Sequence, residues 1–368
     1  MSRSADLAAA AITVVFAATA SLAAQEKPVA IRESSGLEYH VLVAAESADE
    51  VYKVAFDGKK ARVTKVVNVG YQPTEVEGPH GLTVGPKGRY WYLSMAHGKP
   101  FGILYKYDAK NDELVGQTEL GMFPATMQIS KSTGLLYCVN FNLHGRMLPS
   151  SVSIVDPDEM VEVGRTITGP MPHGSRLSPD GLHHYSCAMM SGHLFEIDAA
   201  TFGVTRRLQL DEKQPKGHDS NVKPTWVQPH PKLRRAYAAL NGAAQIAEID
   251  LDTWRVTRRF KTAKGPYNLE VSPDGKRLVV SYKTAGAVGI WDLLSGKELA
   301  RIPSTRRVTH GVLISPDGRY AFVSCEGVGS EKGAVDVFDL STNLKVASVD
   351  VGLQAGGIAF WKTVKRGS

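Results

Sequence analysis

Three histidines in this 368-residue chain share one local context. His80 lies in GPHG, His173 in MPHG and His310 in VTHG, each followed directly by glycine. An imidazole is a lone-pair ligand when neutral and an acid-base group near pH 7. Three of them on one site suit Cu, Zn, Fe or Ni, and such a set often keeps a further position for substrate. The glycine beside each lets backbones approach closely. His97 (MAHG), His144 (NLHG), His193 (SGHL) and His218 (in GHDSNVKP) recur at related places, which makes seven of the eleven histidines.

What could gather them is a repeat. Copies starting at Gly169, Gly265 and Arg307 each carry a Ser-Pro-Asp-Gly turn, at Ser178–Gly181, Ser272–Gly275 and Ser315–Gly318, with GPKG at Gly85–Gly88 as a looser version. Proline presets φ, aspartate bonds its own turn and glycine accepts positive φ, so each turn joins two strands. A third strand closes on Asp108, Asp156, Asp198, Asp250, Asp292 and Asp339, with Asp57 as a weaker first member. Their spacing, roughly 40–50 residues, is that of a four-stranded blade. Residues 78–120, 121–168, 169–212, 222–262, 264–303 and 306–350 make six blades. Residues 40–70 and 351–361, from opposite ends of the chain, complete a seventh and leave no open edge at the join. The expectation is an all-β, seven-bladed β-propeller over 40–361, with a linker at 25–39 and a tail at 362–368.

The copies V-x-I/V-x-D-x-x-T/S and SPDG-x-x-x-x-V resemble the YVTN-repeat family, including YncE-like periplasmic proteins. The resemblance spans nearly the whole mature chain. It implies a seven-bladed ring, a fold that also serves lactonases, amine dehydrogenase subunits and haem or copper reductases. It selects no activity among them.

In such a ring the entry to strand one and the exit of strand two line one mouth of the central channel, the usual ligand site. His80, His173 and His310 then stand at strand-one starts in blades two, four and seven. With about 51° per blade they are about 103°, 154° and 103° apart and point inward from three sides. They are the preferred metal ligands. His97 and His193 are second, and Cys325 and Glu326 are candidate completing groups. Glu75 and Glu77 are candidates to orient the rings, and His218 is a candidate lid residue. Trp226, Tyr267 and Asn268 are the candidate cofactor- or ligand-binding residues, with Asn140, Asn142, Asn241, Lys283 and Met171 also at the mouth. A transition metal (Cu, Fe or Zn) is the expected cofactor. His40, His183, His184 and His230 read as structural. The methionines near blades two to four read as core or loop residues.

Met1–Ala24 reads as a secretory signal: Arg3, an apolar run through Ala8–Ala20, then the small residues Ser21, Ala23 and Ala24. An uncleaved N-terminal anchor is the alternative. The expected location is periplasmic or secreted, with no membrane span after cleavage. The net charge of +6 is scattered and has no dense basic block, which argues against nucleic acid as a partner. The three cysteines, Cys138, Cys187 and Cys325, match no zinc or redox spacing. No CxxCH, HExxH, Walker A, GxSxG or dinucleotide fingerprint occurs, so covalent haem c and serine hydrolysis have no motif here. Three functions stay open. One is a metallo-oxidoreductase or metal-handling protein. The second is a non-catalytic ring that binds a small ligand or a periplasmic protein as scaffold or sensor. The third is a lactonase, for which only Glu46 and Glu326 supply carboxylates at the mouth.

Overall fold

The computed structural model describes residues 36–72, 74–98, 100–213 and 219–366. The expected signal segment and His218 lie outside them. Among the described residues, twenty-eight strands form seven antiparallel four-stranded sheets. Six sheets use consecutive strands. In the seventh, blade 1, the last strand Ala355–Lys365 is innermost and pairs with Leu37–Ala45, followed by Glu50–Phe56 and Ala61–Asn68. The ring therefore closes by pairing both chain ends, as the repeat count requires. The joining strands are longer than expected: the first begins at Leu37 rather than at residue 40, and the last runs to Lys365 rather than 361.

Each local signal has a physical counterpart. Asp57, Asp108, Asp156, Asp198, Asp250, Asp292 and Asp339 each accept backbone N–H bonds from residues two or three further on. They thereby close the turn into the fourth strand. In the Ser-Pro-Asp-Gly turns the glycine N–H bonds the serine carbonyl, at 2.9 Å for Gly181–Ser178 and 2.8 Å for Gly275–Ser272 and Gly318–Ser315.

The first three strands of a blade are buried on both faces, because neighbouring sheets stack on each. Tyr39, Val41 and Val43 face Phe322, Val335 and Val337 of blade 7, while Leu42 and Ala44 face Trp91 and Leu93 of blade 2. Fourth strands such as Leu344–Asp350 alternate between half-buried and exposed residues. Cys138, Cys187 and Cys325 are all free and buried. Among the described residues no helix is long and apolar enough to cross a membrane.

Candidate metal centre

The innermost strands that matter for the site are Pro79–Val84, Pro172–Leu177 and Val308–Ile314. Each is bulged near its start. Pairing jumps from Pro79↔Met95 to Leu82↔Leu93, from Pro172↔Ala188 to Ser175↔Ser186, and from Thr309↔Cys325 to Val312↔Val323. In each case a His-Gly pair opposes one residue of the second strand. A bulge of this kind re-aims a side chain, and here it turns three imidazoles toward the axis.

The glycines are required by the neighbouring blade. A Cβ on Gly81 would sit 1.8 Å from the Ala125 carbonyl oxygen, and one on Gly174 would sit 2.3 Å from that of Thr225. The freed Gly81 and Gly311 N–H groups donate to the hydroxyls of Ser94 and Ser324, both at 2.8 Å. The bulge thus leaves neither donor unsatisfied.

His80, His173 and His310 meet at the axis. All three are buried. Their ring centroids are 5.7 Å (His80–His173), 5.8 Å (His80–His310) and 6.2 Å (His173–His310) apart. One ring nitrogen from each lies within 4.8 Å of the other two.

Their partners leave lone pairs to spare. His80 Nδ1 bonds Glu46 Oε2 at 2.7 Å, which leaves Nε2. His173 Nε2 bonds the Tyr267 hydroxyl at 2.8 Å, and its Nδ1 has no partner. His310 Nδ1 makes no hydrogen bond of good geometry, and its Nε2 stands 3.7 Å from Glu326 Oε1. Burial pushes the His173 pKa well below its ordinary value, helped by the charges of His80 and Lys283. Burial does the same for His310, with Lys283, His80 and His173 adding to it. Both rings are therefore neutral at pH 7, the form that binds metal.

A carboxylate supports the trio from outside. Glu46 also receives His97 Nε2 at 3.0 Å, so one side chain bridges two histidines. Burial would raise the Glu46 pKa, but the charge and hydrogen bonds of His80 and His97 hold it well below the carboxylate range. The same hydrogen bond raises the His97 pKa. Glu326 is held by Lys283 Nζ at 2.9 Å, and that ammonium lies 4.5 Å from the Tyr267 ring centre. Burial, with Glu326 and Glu46 nearby, keeps Tyr267 protonated far above its usual range.

Not every expected residue joins. His97 forms an outer layer through Glu46, with His144 at 5.8 Å from it. His193 starts the third strand of blade 4 and lines a separate groove with Pro149 and Arg207, its ring 5.9 Å from Phe195. It does not reach the trio because third strands stand away from the axis. Cys325 packs between blades 6 and 7 in an apolar cluster and cannot complete the site. Glu77 accepts the Tyr71 and Gln72 N–H groups and so closes its own loop rather than orienting a ring. Glu75 lines the groove beside His97. Asn140 bonds Ser151 and Ser153 within its blade, Asn142 bonds its own loop at Arg146, and Asn241 bonds the Pro266 carbonyl. Met171 packs on the blade 3 core. His184 stacks on Tyr137 and His230 bonds the Gly275 carbonyl, both structural as expected.

The trio roofs a cavity of about 220 Å³ that continues along the channel and is lined in part by Trp226 and Asn268. Tyr267 touches His173 rather than the cavity wall. Arg176 and Glu270, which sequence reasoning missed, line this cavity. Their signal was available: each lies two or three positions past a mouth residue on an inner strand.

No family model matches the chain, and no curated protein sequence does. Solved structures do. A Kuenenia stuttgartiensis hydrazine synthase chain superposes with a TM-score of 0.63 at 20% identity, over 79% of this chain and 93% of that one. A Bacteroides uniformis protein, whose assignment as a 6-phosphogluconolactonase is itself provisional, gives 0.67 at 16% identity, over 88% and 99%. The chain is a seven-bladed propeller. At these identities the likeness extends to the fold alone.

Proposed function

We propose that this protein is an exported, metal-binding propeller in which His80, His173 and His310 hold one transition metal at the channel axis. The observation that carries the reading is the convergence of three buried imidazoles, one ring nitrogen of each lying within 4.8 Å of the other two. Two of the rings are kept neutral by burial, the form that binds metal. The Glu46–His80 bond has the carboxylate–histidine form that orients metal ligands.

An all-imidazole set suits Cu, Fe or Zn. Held by these three residues above the cavity, such a metal would supply redox or Lewis-acid chemistry. Lactone hydrolysis by a carboxylate base is less well supported. Both Glu46 oxygens are engaged by histidines, and Glu326 is paired with Lys283. Export rests on the Met1–Ala24 pattern.

Elemental mass spectrometry of the untagged mature protein, beside a folded His80/His173/His310→Ala variant, tests the reading. About one equivalent of Cu, Fe or Zn in the parent, absent from the variant, is expected. Metal in neither, even after reconstitution, overturns it. That result would favour a second reading, a ring that binds an organic ligand in the cavity lined by Trp226 and Asn268.

A further inference from the structure

The cavity under the histidines has a charge that the metal reading does not use. Its charged or titratable lining residues are His80, His173, His310, Arg176 and Glu270. Arg176 lies three residues past His173 on the same inner strand. Its guanidinium lies over the Trp226 ring, 4.8 Å from the centre. A guanidinium has five N–H donors. Among the described residues, its one side-chain hydrogen bond runs from Nη1 to the Ser175 carbonyl at 3.0 Å.

Four other strand arginines behave differently. Arg206 pairs with Glu196, Arg258 with Glu248, Arg277 with Asp292 and Arg301 with Glu298. Those arginines face the outer strands and solvent. Arg176 faces the channel, is desolvated enough to lower its pKa, and has no ion pair among the described residues. Glu270 attracts it through space without reaching it. Trp226 Nε1 and Asn268 Oδ1 are also buried without a partner.

We propose that Arg176 is the anchor of a binding seat for a short-chain monocarboxylic acid, placed in the channel directly below the histidine trio. The guanidinium fork matches a carboxylate with two parallel bonds. A single cation suits a monoanion, whereas a phosphate would add charge beside Glu270 with no second cation in the cavity. The remaining wall includes Leu82, Val312, Ile314 and Ile358, which suits a short aliphatic tail. The volume of about 220 Å³ equals several water molecules at ~30 Å³ each, enough for a small acid.

Glu270 fits beside such an anion. Burial pushes its pKa up to about 7, against the opposing pull of Arg176 and the Ile314 N–H. Protonated, it donates to the bound acid instead of repelling it. The flanking inner strands Pro224–Pro229 and Val308–Ile314 bring no charge or titratable group to it except His310.

The seat names a substrate class for the proposed metal site but does not depend on the metal. The test therefore uses metal-stripped protein. Calorimetry would compare propionate with its neutral isostere propionamide. Propionate should bind and propionamide should not. Arg176→Met should lower propionate affinity at least tenfold with the cooperative melt retained, and Arg176→Lys, which keeps the charge and loses the fork, should fall between. Above pH 7 the parent's affinity should fall by up to about tenfold per unit, as Glu270 ionises, and Glu270→Gln should flatten that dependence. No propionate binding by the stripped parent, or equal binding by both Arg176 variants, overturns the seat. Binding that needs loaded metal and ignores Arg176 would also overturn it, while leaving the metal reading intact.

Discussion

Glu46 and His80 meet at 2.7 Å across the joint between blades 1 and 2. The carboxylate follows the strand Leu37–Ala45, which the C-terminal strand covers, and the imidazole belongs to the next blade. One hydrogen bond therefore ties the ring closure to the candidate centre. Its second oxygen holds His97, so the inner and outer histidines share one anion.

Glu46→Gln keeps the shape and removes the charge. Metal affinity, measured by competition with a chelator, should fall about 10–100-fold, the usual cost of losing a carboxylate that orients a ligand. His97→Ala should cost less, since it touches the metal site only through Glu46. Equal affinities for the parent and Glu46→Gln would refute the supporting role.

Apo-protein stability should decline as pH falls below about 6.5. His173 and His310 have folded pKa values below that of the unfolded chain. The unfolded state takes up protons first, so stability rises with pH between the folded and unfolded values. Each ring contributes at most about 1.4 kcal/mol per pH unit. Glu46 adds a second loss below about pH 4.5, because its folded pKa is depressed. His97, whose pKa is raised, acts in the opposite sense: it stabilises below 6.5 and loses that effect as pH rises through its folded value. Urea midpoints from pH 5 to 7.5 should fall with acid in the parent and flatten in a His173→Gln/His310→Gln variant.

Gly81→Ala should destabilise strongly. The added Cβ meets a backbone oxygen, that of Ala125, at 1.8 Å. A loss of about 3 kcal/mol, at the upper end for overpacking, is expected. Gly88→Ala is the control: its φ is +66° but nothing lies within 4 Å, so only backbone strain of about 1 kcal/mol applies. Thermal melts of the two variants should separate clearly.

A chain ending at Gln354 loses the inner strand of blade 1. It would expose the edge of Leu37–Ala45 and uncover Tyr39, Val41 and Val43. The cooperative melt should be lost. Adding the 355–366 segment as a peptide should restore part of it.

Much of this was legible because the repeat is carried by local chemistry. Ser-Pro-Asp-Gly turns and strand-ending aspartates bond within their own few residues, so they act alike wherever they recur. Counting them gave seven blades and the two-ended closure. The same register placed His80, His173 and His310 at angles that converge, and they do. His193 and Cys325 show where register runs out. Both are near the mouth by sequence, but one sits on a third strand and the other faces an inter-blade core.

The amino-acid sequence by itself determined the blade count, the closure and the angular position of each mouth residue, because these follow from short-range turn chemistry repeated at a fixed spacing. Only the tertiary structure decided depth and partnership. The bulges turn His80, His173 and His310 inward. Glu46 is shared between two histidines, Tyr267 meets His173 from two blades away, and Arg176 faces the cavity without a counter-ion. The Glu46 and Tyr267 contacts join residues 34 to 94 positions apart across blade boundaries, and they exist only once the ring has closed.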